Sequence, residues 1–279
     1  MTVSHRLLEG QVAVVTGGGG GPEDRATSVG AATSLLLARQ GAAVVVVDID
    51  PAGADATVAA IRAEGGLALA VVADLSREVE CRRAVDDALA AHGRLDILIN
   101  NVAVGGGAVL HEVEEDDWDR AMAINLKSAL FMSKHAVPHM IDGGAVVNLS
   151  SLAVDTPPVG LAYPVSKAAL EALTRSLALQ YGPQGVRCNA VRPGEIWTAL
   201  VDRHQPTPEA AEQARAAIRD RTALLTNGDA WDAAHAIVFM AGPLARWITG
   251  QVLVLDGGAS LLRPDPNWTS GRSYWKAPR

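Results

Sequence analysis

Apolar residues recur along this chain in two alternating patterns. Short runs such as Val12-Ala13-Val14-Val15-Thr16 and Ala43-Val44-Val45-Val46-Val47 are apolar almost throughout and rich in β-branched residues, as strands buried on both faces must be, and the stretch 186–191 reads as a further strand. Further strands are expected over 67–72, 95–99, 144–149 and 251–255. Between them lie longer stretches with helical spacing, at 29–39, 51–64, 77–92, 114–140, 162–181, 209–221 and 229–240. Strand and helix alternate without a linker or an internal repeat. That order predicts one α/β domain over 1–279, a doubly wound parallel sheet of about seven strands with helices on both faces.

Composition narrows the partners. The 279 residues are 49% apolar, enough for one sizeable core, and the net charge of -7 without any basic block argues against a nucleic-acid surface. No apolar run reaches membrane-spanning length, and residues 1–10 lack the basic-then-apolar order of a leader, so a cytoplasmic protein is expected. Cys81 and Cys188 read as buried thiols in a reducing compartment. The seven histidines are scattered, and no metal is expected.

Two places carry candidate chemistry. After the first strand come five glycines, Gly17 to Gly21, and then a helix; such a turn lets backbone approach a pyrophosphate while the helix start offers unpaired N–H groups. The second strand ends in Asp48, where a carboxylate can accept both ribose hydroxyls of an adenosine and repel a 2′-phosphate, favouring NAD over NADP. The second place is Tyr163-Pro164-Val165-Ser166-Lys167. On a helix, Tyr163 and Lys167 share a face, and the ammonium is expected to pull the phenol pKa down, fitting the tyrosine for proton exchange with an alcohol or ketone.

Taken in order, Thr16-Gly17, Asp48, Asp74-Leu75, Asn100-Asn101, Asn125, Ser150-Ser151, Tyr163 with Lys167, and Pro193-Gly194 resemble the short-chain dehydrogenase/reductase family over roughly residues 10 to 260. Three features depart from its pattern. The glycine loop fits at Thr16, Gly17 and Gly21, but the expected apolar-Gly pair arrives only at Val29-Gly30, after seven additional residues, 22–28. That insertion is expected to loop outward, with Gly30 still allowing close helix packing and Arg25 either reaching a phosphate or standing exposed. Asn100-Asn101-Val102-Ala103 replaces Asn-Asn-Ala-Gly, with Gly105-Gly106-Gly107 following to relax the loop. The family serine falls on Ser151 when counted from the fifth strand and on Ser150 when counted back from Tyr163; Ser151 is favoured because strand ends are better fixed than loops.

The resemblance implies a Rossmann-type fold and hydride transfer between NAD and a secondary alcohol or ketone. It implies Tyr163 as acid or base, Ser151 as donor to the substrate oxygen, and Lys167 on the nicotinamide ribose. Asn125 would support a water chain to Lys167. Cofactor contacts would come from Gly17, Gly21, Gly30, Asp48, Asp74, Leu75, Asn101, Tyr163, Lys167, Pro193, Gly194, Ile196 and Thr198. A homotetramer follows by the same resemblance. Residues 195–227 are expected to form a lid, with Trp197 and Leu200 as walls, and the tail 259–279, bearing Trp268, Tyr274 and Trp275, to dock on a subunit surface or a site rim. The alternatives are an NADP-dependent carbonyl reductase of the same fold and a dinucleotide-binding redox sensor without turnover.

Overall fold

The computed structural model describes residues 6–20, 26–105, 108–155 and 160–262. Gly21, Arg25, Gly106, Gly107 and the aromatic tail beyond residue 262 therefore lie outside the described residues. Seven strands, β1 (Val12–Thr16), β2 (Ala43–Asp48), β3 (Ala68–Val72), β4 (Ile97–Asn100), β5 (Gly144–Leu149), β6 (Val186–Pro193) and β7 (Val252–Leu255), form a sheet in the order β3-β2-β1-β4-β5-β6-β7. Every pairing is parallel.

Because successive side chains on a strand point to opposite faces, the valine runs feed two cores at once. Ala13, Val15, Val44 and Val46 meet Leu35 of α1 (Val29–Arg39), Ile61 of α2 (Pro51–Ala63) and Ile237 of α9 (Ala230–Ala241). Val12, Val14, Val45 and Val47 meet Val85 of α3 (Glu78–His92), Met132 of α5 (Ser128–Ala136) and Leu177 of α6 (Ala162–Tyr181). Each fully buried valine or isoleucine contributes about 1.5–3 kcal/mol, so both faces are strongly specified.

The chain enters every strand through a left-handed glycine: Gly10, Gly41, Gly65, Gly93, Gly143, Gly185 and Gly250 all have positive φ and precede β1 to β7 in turn. Glycine takes that conformation with little strain, which lets the chain turn into the sheet at each of these points. The strands consequently all end at the opposite rim. There the order reverses between β1 and β4, the crevice where ligands of such sheets bind.

The stretch 114–140 is not one regular helix. It runs as α4 (Glu115–Met122), a wider π turn (Ala123–Lys127), α5, and a tight 3-10 turn (Val137–His139) carrying Pro138. The π turn holds Asn125, whose amide bonds outside its own helix, and this accounts for the widening.

Candidate active site

The glycine loop is fastened from three sides. Ser28 caps α1 by accepting from the Ala31 N–H at 3.1 Å, while its own hydroxyl donates to the Gly19 carbonyl at 2.8 Å. Asp48, at the end of β2, accepts from the Gly19 N–H at 2.8 Å and the Asp50 N–H at 3.0 Å. From β4, the Asn101 side chain donates to the carbonyls of Thr16 (3.0 Å) and Gly17 (2.8 Å). A Cβ on Gly30 would lie 1.9 Å from the Gly17 carbonyl oxygen, so the helix can sit this close to the loop only with glycine there. The packing expected of Gly30 is present, although seven extra residues precede it. Asn101, expected as a cofactor contact, spends its amide on the loop itself while also lining the crevice.

On the other side of β1, α6 is laid against the end of β5 rung by rung. The Tyr163 phenol and the Ser151 hydroxyl line the same cavity, and Ser151 favours the charged form of the phenol. Lys167, one turn on, donates from Nζ to the Leu149 carbonyl at 2.7 Å. Glu171, a further turn on, accepts from the Ser150 hydroxyl at 2.6 Å. Thr174 accepts from the Asn148 amide at 2.8 Å. The spacings of four, four and three follow from the helical pitch, which stacks such residues on one face. The two adjacent serines thus have different partners: Ser151 meets the phenol, and Ser150 meets a buried carboxylate.

Asn125 is buried at the head of α5. Its amide accepts from the Val104 N–H (2.8 Å) and donates to the Val104 carbonyl (2.9 Å) and the Ser166 hydroxyl (3.0 Å). It joins the loop after β4 to α6 through Ser166.

The electrostatics depart from the sequence expectation. Burial pushes the Tyr163 phenol up, with the Ser151 hydroxyl pulling the other way. Burial also pulls the Lys167 ammonium down to about 8. A downward push on the phenol was expected from the shared face. Instead Lys167 lies over the ring, 5.7 Å from its centroid, and its charge is directed to the Leu149 carbonyl. Desolvation therefore outweighs attraction at the hydroxyl.

Ser150, Ser151 and Tyr163 open onto one cavity of about 760 Å³, whereas Lys167 and Asn125 lie buried behind its wall. Among its walls are Gly17, Gly30, Asp48, Asp74, Leu75 and Asn101 towards β2, and Ser151, Tyr163, Pro193, Gly194, Ile196 and Thr198 towards β6. The mouth is roofed by Leu200 of α7 (Ala199–Arg203) and Ile218 of α8 (Pro208–Asp220). Trp197 does not serve as a wall: its indole turns away, donating to Asp202 at 3.1 Å under the Arg215 guanidinium at 4.5 Å, beside a separate small cavity. The short α7, capped by Thr198, was not foreseen, nor were Val104, Ile124 and Ile218 as walls. Ile218 was accessible from sequence as an apolar position on an otherwise charged helix, and Thr198 from its place as a cap residue. Among the described residues no cluster suited to a metal ion occurs.

Comparison with known proteins follows the same lines. A family model described as enoyl-(acyl carrier protein) reductase matches residues 25–260. An uncharacterised oxidoreductase of Methylorubrum extorquens is 38% identical over 90% of this chain and 98% of its own length. Glucose 1-dehydrogenase 2 of Bacillus subtilis is 34% identical over 78% of this chain and 84% of its own. A crystal structure from Burkholderia xenovorans, described as a short-chain dehydrogenase/reductase, superposes with a TM-score of 0.84 at 34% identity, covering 94% of this chain and all of that one.

Proposed function

The chain belongs to the short-chain dehydrogenase/reductase family and is an oxidoreductase acting on alcohols or ketones, and from that premise we propose that it works with NAD(H) on a secondary alcohol or its ketone. The observation that carries this reading is that Ser151 and Tyr163, with Lys167 against the phenol ring, line the same cavity as the Asp48 carboxylate.

The residues present fit a dinucleotide. Gly30 leaves no room for any larger residue beside the loop, and Asp48 presents a carboxylate at the strand end where an adenosine ribose would lie. Gly17, Gly30, Asp48, Asp74, Leu75 and Asn101 would hold its adenosine and pyrophosphate, and Lys167, Pro193, Gly194, Ile196 and Thr198 its nicotinamide half. Gly21 belongs to the same proposal from its place in the sequence. NAD supplies the hydride acceptor, and NADH the donor. Asp48 favours NAD over the NADP alternative, because a carboxylate there repels a 2′-phosphate.

Ser151 donates to the substrate oxygen, steadying charge as it grows there. Tyr163 receives the alcohol proton in oxidation and returns it in reduction. Lys167, with its pKa near 8, exchanges protons readily at neutral to mildly alkaline pH and offers its ammonium to ribose hydroxyls. Asn125 keeps the head of α5 and the loop after β4 in place behind them. Leu200, Val201 and Ile218 roof an apolar pocket for the substrate. The reading extends to a cytoplasmic homotetramer; apolar side chains left exposed, Leu179 and Trp247 among them, support assembly. Among the described residues no helix is long and apolar enough to cross a membrane.

An absorbance screen following NADH against cyclic and linear secondary alcohols and ketones tests the proposal, run with NADP in parallel and with Tyr163→Phe as control. Turnover with NAD, lost in the control, is expected. NADH binding without turnover on the whole panel would reduce the protein to a dinucleotide binder.

A further inference from the structure

A second polar assembly lies directly beneath the serine and is used by no step above. Arg192, the penultimate residue of β6, grips Glu171 with two parallel bonds, Nε to Oε1 at 2.8 Å and Nη2 to Oε2 at 2.6 Å. Glu171 holds the Ser150 hydroxyl with the same Oε1. The remaining arm of the guanidinium, Nη1, reaches Asp155 in the turn that follows Ser151. The carboxylate of Glu171 is 5% exposed and Arg192 12%, so the pair is withdrawn from water at both ends, while Asp155 is half exposed. Buried and bidentate, such a pair is geometrically strict in a way that a surface pair is not.

Its placement is specific. The group joins the end of β5 through Ser150, the helix bearing Tyr163 and Lys167 through Glu171, the end of β6 through Arg192, and the turn after Ser151 through Asp155. Ser151 lies between two tethered positions, Ser150 on one side and Asp155 on the other. Its hydroxyl also accepts from the Ala153 N–H at 3.2 Å, which orients it within that turn. Nothing else with charge links the turn to the sheet among the described residues.

We propose that Arg192 and Glu171 are positioning residues: their ion pair, extended to Asp155, sets the turn that holds Ser151 against Tyr163 and so fixes the hydroxyl pair for proton transfer. The role rests on the dehydrogenase reading for its catalytic meaning, but the geometry it controls is measurable without turnover.

The test compares the wild-type chain with Arg192→Met, Asp155→Asn and Tyr163→Phe, all full length. Asp155 is at the exposed end, so Asp155→Asn leaves the buried pair intact and guards against a variant that simply fails to fold. Carbon-13 labelling of tyrosine Cζ reports the titration of the phenols by NMR; of the three tyrosines, the signal missing in Tyr163→Phe identifies the relevant one. Loosening the Ser151 contact removes the interaction that holds the phenol down, so its midpoint is expected to rise in both variants. With an alcohol found by the screen, kcat is expected to fall about 10- to 100-fold, the scale of a small misplacement of reacting groups, with KM for NAD unchanged. A lower melting temperature with kcat and the Tyr163 midpoint both unmoved would show a merely structural pair and overturn the proposal. A midpoint that shifts in a protein that turns over no alcohol would keep the positioning role and sink the dehydrogenase reading instead.

Discussion

Lys167 is buried and Tyr163 is partly buried at the cavity wall, and their protonation follows from that. Removing the phenol oxygen in Tyr163→Phe takes away the proposed proton carrier and is expected to lower kcat about 10²- to 10⁴-fold with little change in melting temperature, measured by NADH absorbance and thermal unfolding. The lysine makes a prediction about pH. Its ammonium is held near 8, against an ordinary value of 10.5. Below pH 8 both folded and unfolded chains carry the proton, and the folded state bears the full cost of burying it. Between about 8 and 10.5 the unfolded chain keeps a proton that the folded chain gives up, so this residue makes the fold more stable as pH rises through that window. The total is on the order of 3 kcal/mol. Tyr163, raised rather than lowered, opposes this only above its ordinary value of 10. Lys167→Met is expected to flatten the rise between pH 8 and 10 in denaturant titrations while abolishing turnover; an unchanged slope would show that the ammonium is not the source. The Tyr-Lys pair was visible in the sequence as a spacing of four. The direction of the phenol shift was not, because spacing says nothing about how much water surrounds the face.

Among the elements, β2 and the glycine loop were the most legible. A run of valines can only be a two-faced buried strand, and an aspartate at its end had one place to go. Asp48→Ala is expected to raise KM for NAD about 10- to 100-fold, the scale of losing hydrogen bonds to a charged group, and to narrow the preference over NADP. Equal preference in the wild-type protein would remove the basis for the assignment. Gly30→Ala would drive a methyl group into the Gly17 carbonyl; a cost of about 1–3 kcal/mol in urea unfolding and weaker NADH binding are expected. The helix pattern over 114–140 hid more. A single π turn shifts the apolar register by only about one residue, too little to stand out over the mixed small and apolar residues around Asn125. The Arg192–Glu171 pair was equally hidden: Glu171 stood at the correct interval after Lys167, but a charge on a helix reads as a solvent face until the strand that neutralises it is known.

At the level of the whole molecule, one rim carries the candidate site, and residues of α7 and α8 line its cavity. The segment from α7 to α8 runs from the Thr198 cap to Leu225, which alone among the described non-glycine residues has positive φ, and an ion pair between Glu195 and Arg221 spans its base. Ile218→Ala opens the roof on the substrate side and is expected to raise KM for the alcohol several-fold while leaving KM for NAD unchanged, since a methylene in an apolar pocket is worth about 1 kcal/mol or more. The alternation of strand and helix was readable because each turn is short and each strand apolar. The roof was less so, since its helices are polar on most sides and Trp197, the most conspicuous apolar residue there, is taken up by Arg215. The seven left-handed glycines at the far rim have a practical corollary. All loops that bind or react leave the strands in the other direction, and at Gly65 and Gly93 no neighbouring atom lies within 4 Å of where a side chain would start. A peptide epitope or a surface-attachment tag spliced in after either glycine would point away from the crevice, so the enzyme could be tethered to a bead or an electrode with its mouth left facing the solution.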